Sequence, residues 1–218
     1  MRIVIAGGHG QIALILERLL SARGDSVAGF IRNPDQVGDV EATGADALVV
    51  DLEKASVDEV AGHLAGVDAV VFAAGAGPGS GAARKDTVDR DAAILLADAA
   101  EAAGVNRYVM VSAMAADPHA TADDEVFEVY LRAKGVADEA IRSRTGLQWT
   151  VVRPGALTND SGSGRVAIAE STGRGSIPRE DVAAVLVAVL DEPRTAGASF
   201  DLISGDTAIT EAVAALAR

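Results

Sequence analysis

The chain of 218 residues holds two tyrosines and three lysines, and one of each falls four residues apart, at Tyr130 and Lys134. On a helix that spacing puts both side chains on one face, where an ammonium lowers a phenol's pKa from about 10 and can also hold a ribose. A phenol tuned in this way donates a proton. Ser112 closes a predicted strand, at the edge where doubly wound sheets gather ligands, so its hydroxyl can bind the same substrate oxygen that Tyr130 protonates. Tyr130 also lies beside the apolar residues Val126, Phe127, Val129, Ala133 and Ala137, and the alternative is a core tyrosine with its hydroxyl at the rim.

A second constellation lies near the N-terminus, where Gly7-Gly8-His9-Gly10-Gln11-Ile12-Ala13 follows the first predicted strand and opens a helix. Small residues there permit a tight turn and a close approach of backbone to a pyrophosphate, and the helix N-terminus offers unpaired N–H groups to the anion. Dinucleotide binding follows from that context. The second strand runs into Arg32-Asn33-Pro34, with a guanidinium where NAD-specific dehydrogenases carry an acid and with no carboxylate competing nearby. Arg suits a 2′-phosphate, which favours NADP over NAD. Asp51-Leu52 follows the third strand, where the carboxylate accepts from an adenine amino group or serves as a helix N-terminal acid. Ala73-Ala74-Gly75 ends the fourth strand with side chains small enough for a cofactor to cross.

These residues need a sheet to position them, and β-branched runs alternate with helical-period stretches along the whole chain, the pattern of βα units around a parallel sheet. Strands are predicted at Arg2–Ala6, Ser26–Ile31, Ala47–Val50, Ala69–Ala73, Arg107–Ser112 and Gln148–Arg153, and helices at Gln11–Ala22, Val57–Leu64, Thr87–Ala103 and Glu125–Ser143. A helix at Arg179–Leu190, a strand at Phe200–Ile203 and a helix near Thr210–Leu216 complete the chain. The fold class is α/β, a doubly wound parallel sheet. Residues 1–218 are expected to form one domain, with 156–218 as a small substrate-side region. Gly75–Gly81 and Thr158–Gly164 are rich in Gly and Ser and read as mobile loops beside the site.

A formal charge of −13 disfavours nucleic acid and anionic lipid as partners, and no apolar run approaches the roughly 20 residues of a membrane span. The expected partner is a small-molecule substrate, with monomer or homodimer left open, and the expected location is the cytoplasm. The chain has no cysteine, which excludes disulfides, thiolate nucleophiles and zinc-thiolate sites. His9, His63 and His119 are too scattered for a local metal-ligand pair, so no metal is expected.

Taken in order, Gly7-x-x-Gly10-x-x-Ala13, Val88-Asp89-Arg90-Asp91, the run Gly104 to Ser112, Tyr130-x-x-x-Lys134, Trp149 to Gly155 and Arg179-Glu180-Asp181-Val182-Ala183 resemble the short-chain dehydrogenase/reductase superfamily, in its atypical branch of NAD(P)H-binding and epimerase/dehydratase-like members. The resemblance covers essentially the whole chain and implies a Rossmann fold. It maps Ser112, Tyr130 and Lys134 onto the catalytic Ser, Tyr and Lys, and Pro154-Gly155 onto the turn that cradles a nicotinamide. Asp89 falls where many relatives have Asn, and Tyr130 lies 18 positions after Ser112, a longer gap than in many active relatives. The function this implies is hydride transfer from NADPH to a small carbonyl, quinone or flavin-like acceptor. The alternatives are a non-catalytic NADP(H) sensor and, below it, a sugar-nucleotide epimerase, since only 63 residues follow Gly155.

Overall fold

The six expected strands form in a computed structural model that describes residues 1–77 and 79–217. They are β1 (Arg2–Ala6), β2 (Ser26–Ile31), β3 (Asp46–Val49), β4 (Ala69–Phe72), β5 (Arg107–Val111) and β6 (Gln148–Pro154). Their order, β3-β2-β1-β4-β5-β6 with every pair parallel, is that of a doubly wound sheet. Both central strands β4 and β5 are buried at every residue, because helices cover the two faces.

The helices are α1 (Gln11–Ala22), α2 (Val37–Glu41), α3 (Val57–His63), α4 (Ala82–Arg84), α5 (Ala92–Ala103), α6 (Glu125–Arg142), α7 (Arg179–Asp191) and α8 (Ile209–Ala214). Side chains alternate across the sheet. Ile3 and Ile5 pack with Leu16, Leu20, Leu186 and Val189 under α1 and α7, whereas Val4 and Ala6 join Leu64, Leu96 and Ile141 under α3, α5 and α6. Beyond β6 come β7 (Ala156–Thr158), β8 (Arg165–Ala169), β9 (Ser176–Pro178), β10 (Ala198–Ser204) and β11 (Thr207–Ala208). Of these, β10 joins β6 in parallel, β8 and β11 extend that edge antiparallel, and β7 and β9 pair separately.

Three features differ from the sequence expectation, the first being the short helix α2, which lies outside the expected helices. Strands β7, β9 and β11 have only two or three residues each, too few for an alternating pattern to mark them, and β8 lies in the apolar run Val166-Ala167-Ile168-Ala169 outside the expected strands. The helix expected over Thr87–Ala103 is α4 followed by a π-helical turn at Lys85–Asp91 and then α5. The wider turn carries an extra residue and leaves Asp89 wholly buried beside α6. Pro78, inside the Gly75–Gly81 loop, lies outside the described residues.

The position of α6 rests on Gly135. A β-carbon there would stand 2.2 Å from the carbonyl carbon of Asp117 and 2.4 Å from the Pro118 nitrogen, both backbone atoms. The Asp117-Pro118-His119 segment, which lengthens the gap between Ser112 and Tyr130, therefore packs directly on the helix, and the Asp117 N–H donates to the Leu131 carbonyl at 3.2 Å. Gly135→Ala should destabilise the protein by about 1–3 kcal/mol, as overpacking does, lowering its urea midpoint at constant slope. An unchanged midpoint would contradict this contact.

Candidate active site

At the carboxyl end of β1 the chain turns at Gly7, with φ at +84°, and a β-carbon there would fall 2.6 Å from the Ala74 Cα. Only glycine allows β1 to turn so close to the end of β4. The Gly10 N–H closes the turn on the Gly7 carbonyl at 2.8 Å, while the Gly8 N–H donates to the Phe30 carbonyl at 2.9 Å. No side chain caps α1, so its first-turn N–H groups remain available at the positive end of the helix dipole.

This turn borders a cleft of about 380 Å³. Gly7, His9, Gly10, Arg32, Asp51, Leu52, Ala73, Ala74 and Gly75 all line it, as do Glu53 and Arg84. The glycine cradle and the cleft at the strand ends fit the adenosine and pyrophosphate half of a dinucleotide. Gly8 lies beneath the turn, and among its neighbours is Glu17 of α1. Gln11 is exposed at the helix start, and Ile12 packs into the core. His9 pairs with Asp39 of α2 at 2.8 Å. The Asp51 carboxylate accepts from the Glu53 N–H at 3.2 Å and meets Lys54 at 3.0 Å, so it also orders its own loop.

The environment of Arg32 corrects the expectation that no carboxylate competes for it. Its guanidinium contacts Glu53 Oε2 at 2.8 Å, and Arg84 reaches the same oxygen at 2.9 Å. Thr87 donates to Glu53 Oε1 at 2.6 Å. The Arg84 hydrogen bond, aided by Thr87 and the charge of Arg32, holds the Glu53 carboxyl below the usual carboxylate range against a partial desolvation that pushes the other way.

Lys134 joins this cleft to the second constellation. Its ammonium, 3% exposed, donates to the Ala74 carbonyl at 3.3 Å and the Val111 carbonyl at 3.2 Å, and lies 3.3 Å from Asp89 Oδ1. Asp89 Oδ2 accepts from the Ala76 N–H at 3.1 Å, fixing the start of the Gly75–Gly81 loop. Tyr130, one helical turn earlier, is half-buried, stacks on Phe127 at 5.9 Å and has the Lys85 ammonium 5.4 Å from its ring centre. Its phenol is not tuned downward as the spacing suggested. Burial raises it well above the ordinary value, and the carboxylates of Asp89 and Asp138 raise it further, while the Lys134 charge is taken up by Asp89.

The Ser112 hydroxyl is buried without a well-formed hydrogen bond and faces Asp138. Burial pushes the Asp138 carboxyl up, and Ser112, Arg153 and Lys134 restrain it. Arg153 Nε contacts Asp138 at 2.8 Å. Pro154 and Gly155 tie this end to the later strands, the Pro154 carbonyl accepting from Met114 N–H at 2.9 Å and the Gly155 N–H donating to Leu202 at 2.9 Å. The Thr158–Gly164 segment is anchored, with N–H groups of Gly162, Ser163 and Gly164 donating to the carboxylates of Glu180 and Asp181. Four contributors were not singled out from sequence, namely Glu53, Arg84, Asp138 and Arg153. Only Asp138 carried a signal, its place four residues beyond Lys134 on the same helix face.

A doubly wound sheet with a glycine turn at β1 and a cleft at the strand ends defines a nucleotide-binding α/β protein. The profile of the NAD(P)H-binding family matches residues 7–193, and the chain belongs to that family. It is 38% identical to Bacillus subtilis YhfK, described as an uncharacterized sugar epimerase, over 98% of this chain and 99% of that one. Among solved structures it is similar to a Bacillus halodurans protein provisionally described as an NAD-dependent epimerase/dehydratase, at 35% identity and a TM-score of 0.89 over 99% of both chains. It is also similar to the oxidoreductase ylbE of Lactococcus lactis, at 28% identity and a TM-score of 0.87 over 99% of this chain and 96% of that one. Among the described residues no helix is long and apolar enough to cross a membrane.

Proposed function

We propose that this protein is an NADP(H)-dependent oxidoreductase that reduces a small carbonyl, quinone or flavin-like acceptor. The observation that carries the reading is Lys134, planted on the Ala74 carbonyl just beyond β4 and the Val111 carbonyl that ends β5, beside the dinucleotide cleft, with the phenol of Tyr130 one turn away on α6. The description of ylbE as an oxidoreductase agrees with it.

In this reading Gly7 to Ile12 hold the pyrophosphate, Asp51 and Leu52 the adenine, and Arg32 the 2′-phosphate. Ala73, Ala74 and Gly75 let the cofactor cross the sheet, Lys134 holds the nicotinamide ribose, and Pro154 and Gly155 back the ring. The bound cofactor supplies a hydride. With a carbonyl acceptor, Ser112 orients the oxygen and Tyr130 donates a proton to it, so one hydride and one proton add across the C=O bond. Burial keeps the phenol protonated at neutral pH, and the developing alkoxide, more basic than a phenolate, draws the proton from it. Residues 156–218 supply the acceptor's wall, where Leu157 is exposed and the anchored Thr158–Gly164 segment limits its shape.

A panel of small carbonyls, quinones and flavins tested for NADPH oxidation decides the matter. Turnover of one class supports the reading. Tight NADPH binding without turnover of any of them would replace it by a sensor, and interconversion of sugar nucleotides without net NADPH oxidation would replace it by the epimerase. Arg32→Ala should weaken NADPH by about 1.5–3 kcal/mol and leave NADH nearly unchanged, as loss of a charge-assisted hydrogen bond to phosphate does. Equal losses for both cofactors in a binding titration would refute that role.

A further inference from the structure

Two guanidiniums converge on one oxygen at the mouth of the cleft. Arg32 follows β2 and Arg84 ends α4, beyond the Gly75–Gly81 loop, yet both meet Glu53 Oε2, at 2.8 Å and 2.9 Å. The other oxygen, Oε1, is held separately by the Thr87 hydroxyl at 2.6 Å, with the Arg84 Nε more distant at 3.4 Å. All three charged side chains line the same cleft. These two cations and one anion together carry +1, and Asp51, which lines the same cleft, is paired with Lys54.

We propose that Arg84 is a second ligand of the 2′-phosphate and that Glu53 is the residue that limits selectivity for it, an inference that rests on the NADP reading above. Arg32 and Arg84 reach one carboxylate oxygen from two separate segments, and a phosphate with several oxygens can take both guanidiniums at once. The Glu53 carboxylate therefore occupies, from within the chain, the place an external phosphate competes for. Thr87 keeps Oε1 in position when Oε2 gives up its partners, so Glu53 stays beside the incoming dianion and repels it. A ribose with a free 2′-hydroxyl meets the opposite situation, because a hydroxyl donates to a carboxylate. Glu53 thus weakens NADPH and supports NADH, and it lies on the β3 loop, away from the second-strand position where an acid would be sought.

The side chains of Arg32 and Arg84 are 54% and 36% exposed, so solvent screens each contact and the effects are moderate and salt-dependent. NADPH and NADH are titrated by calorimetry at low ionic strength against the wild-type chain, Arg32→Ala, Arg84→Ala and Glu53→Gln, with thermal unfolding of each variant as a control for folding. Arg84→Ala should weaken NADPH about tenfold or more and leave NADH within about threefold, the loss expected of a charge-assisted contact. Glu53→Gln should tighten NADPH by about three- to tenfold and weaken NADH, and 2′,5′-ADP against 5′-AMP should reproduce both changes without the nicotinamide half. Equal weakening of both cofactors in Arg84→Ala would make Arg84 a general adenosine contact and overturn the proposal. Weaker NADPH binding in Glu53→Gln would overturn it as well, making Glu53 an organiser of the arginines. If Arg32→Ala weakens NADPH selectively and Arg84→Ala does not, the NADP reading stands and this inference falls. If neither arginine matters for NADPH, both fall together.

Discussion

Replacing Glu17 by glutamine should raise the stability of the protein by about 3 kcal/mol at pH 7 and about 4–5 kcal/mol above pH 8, with little gain near pH 4. The Glu17 side chain is wholly buried under the glycine turn, and Oε1 has no hydrogen-bond partner. A β-carbon at Gly29 would stand 2.5 Å from that oxygen, and one at Gly8 3.0 Å from it. The other oxygen has a long bond from the Thr43 hydroxyl at 3.3 Å. Burial pushes the carboxyl from 4.5 up to about 8, and the Thr43 bond offsets little of it. In the unfolded chain the same group ionises near 4.5, so between pH 4.5 and 8 the native state binds a proton that the unfolded state has released. Stability therefore falls as pH rises through that window and levels off once the native group ionises. Glutamine keeps the shape and does not titrate. Urea titrations of both chains from pH 4 to pH 9 measure the difference. Parallel stability profiles would show that Glu17 is charged or solvated in the native state.

Tyr130→Phe should lower kcat for a carbonyl acceptor by about a hundredfold or more while leaving NADPH affinity and the urea midpoint close to the wild-type values. Phenylalanine preserves the stacking on Phe127 and removes only the hydroxyl, for which no partner is present among the described residues. The pH profile gives an independent check. A general acid must be protonated to act, and burial together with the Asp89 and Asp138 carboxylates keeps this phenol protonated above its ordinary range. The rate of carbonyl reduction should hold through about pH 10, with no decline at the usual phenol value. An undiminished rate in the variant would remove Tyr130 from the chemistry. A quinone or flavin acceptor is the wrong probe here, because it takes its proton from solvent.

Much of the scaffold was legible in one dimension because a strand buried on both faces must be continuously apolar. The runs Ala69–Phe72 and 108–111 mark the middle of the sheet for that reason. Gly7 and Gly10 were legible because a turn that brings β1 against Ala74 excludes any β-carbon at Gly7 and leaves a helix end open beyond it. Helical spacing likewise placed Tyr130 and Lys134 on one face. The sequence by itself thus determined the sheet, the glycine turn and the residues presented at its edge. The ionic partners of those residues were decided only by the tertiary structure. Lys134 takes Asp89 from a π-helical turn that no periodicity announces, and Arg32 shares Glu53, 21 residues further along the chain, with Arg84, 52 residues further along. Such choices depend on where separate loops cross to within a few tenths of an ångström, and on which charges burial leaves without water. Pattern along the chain encodes which face a residue occupies, whereas the charge it meets there is set by the packing of segments distant in sequence.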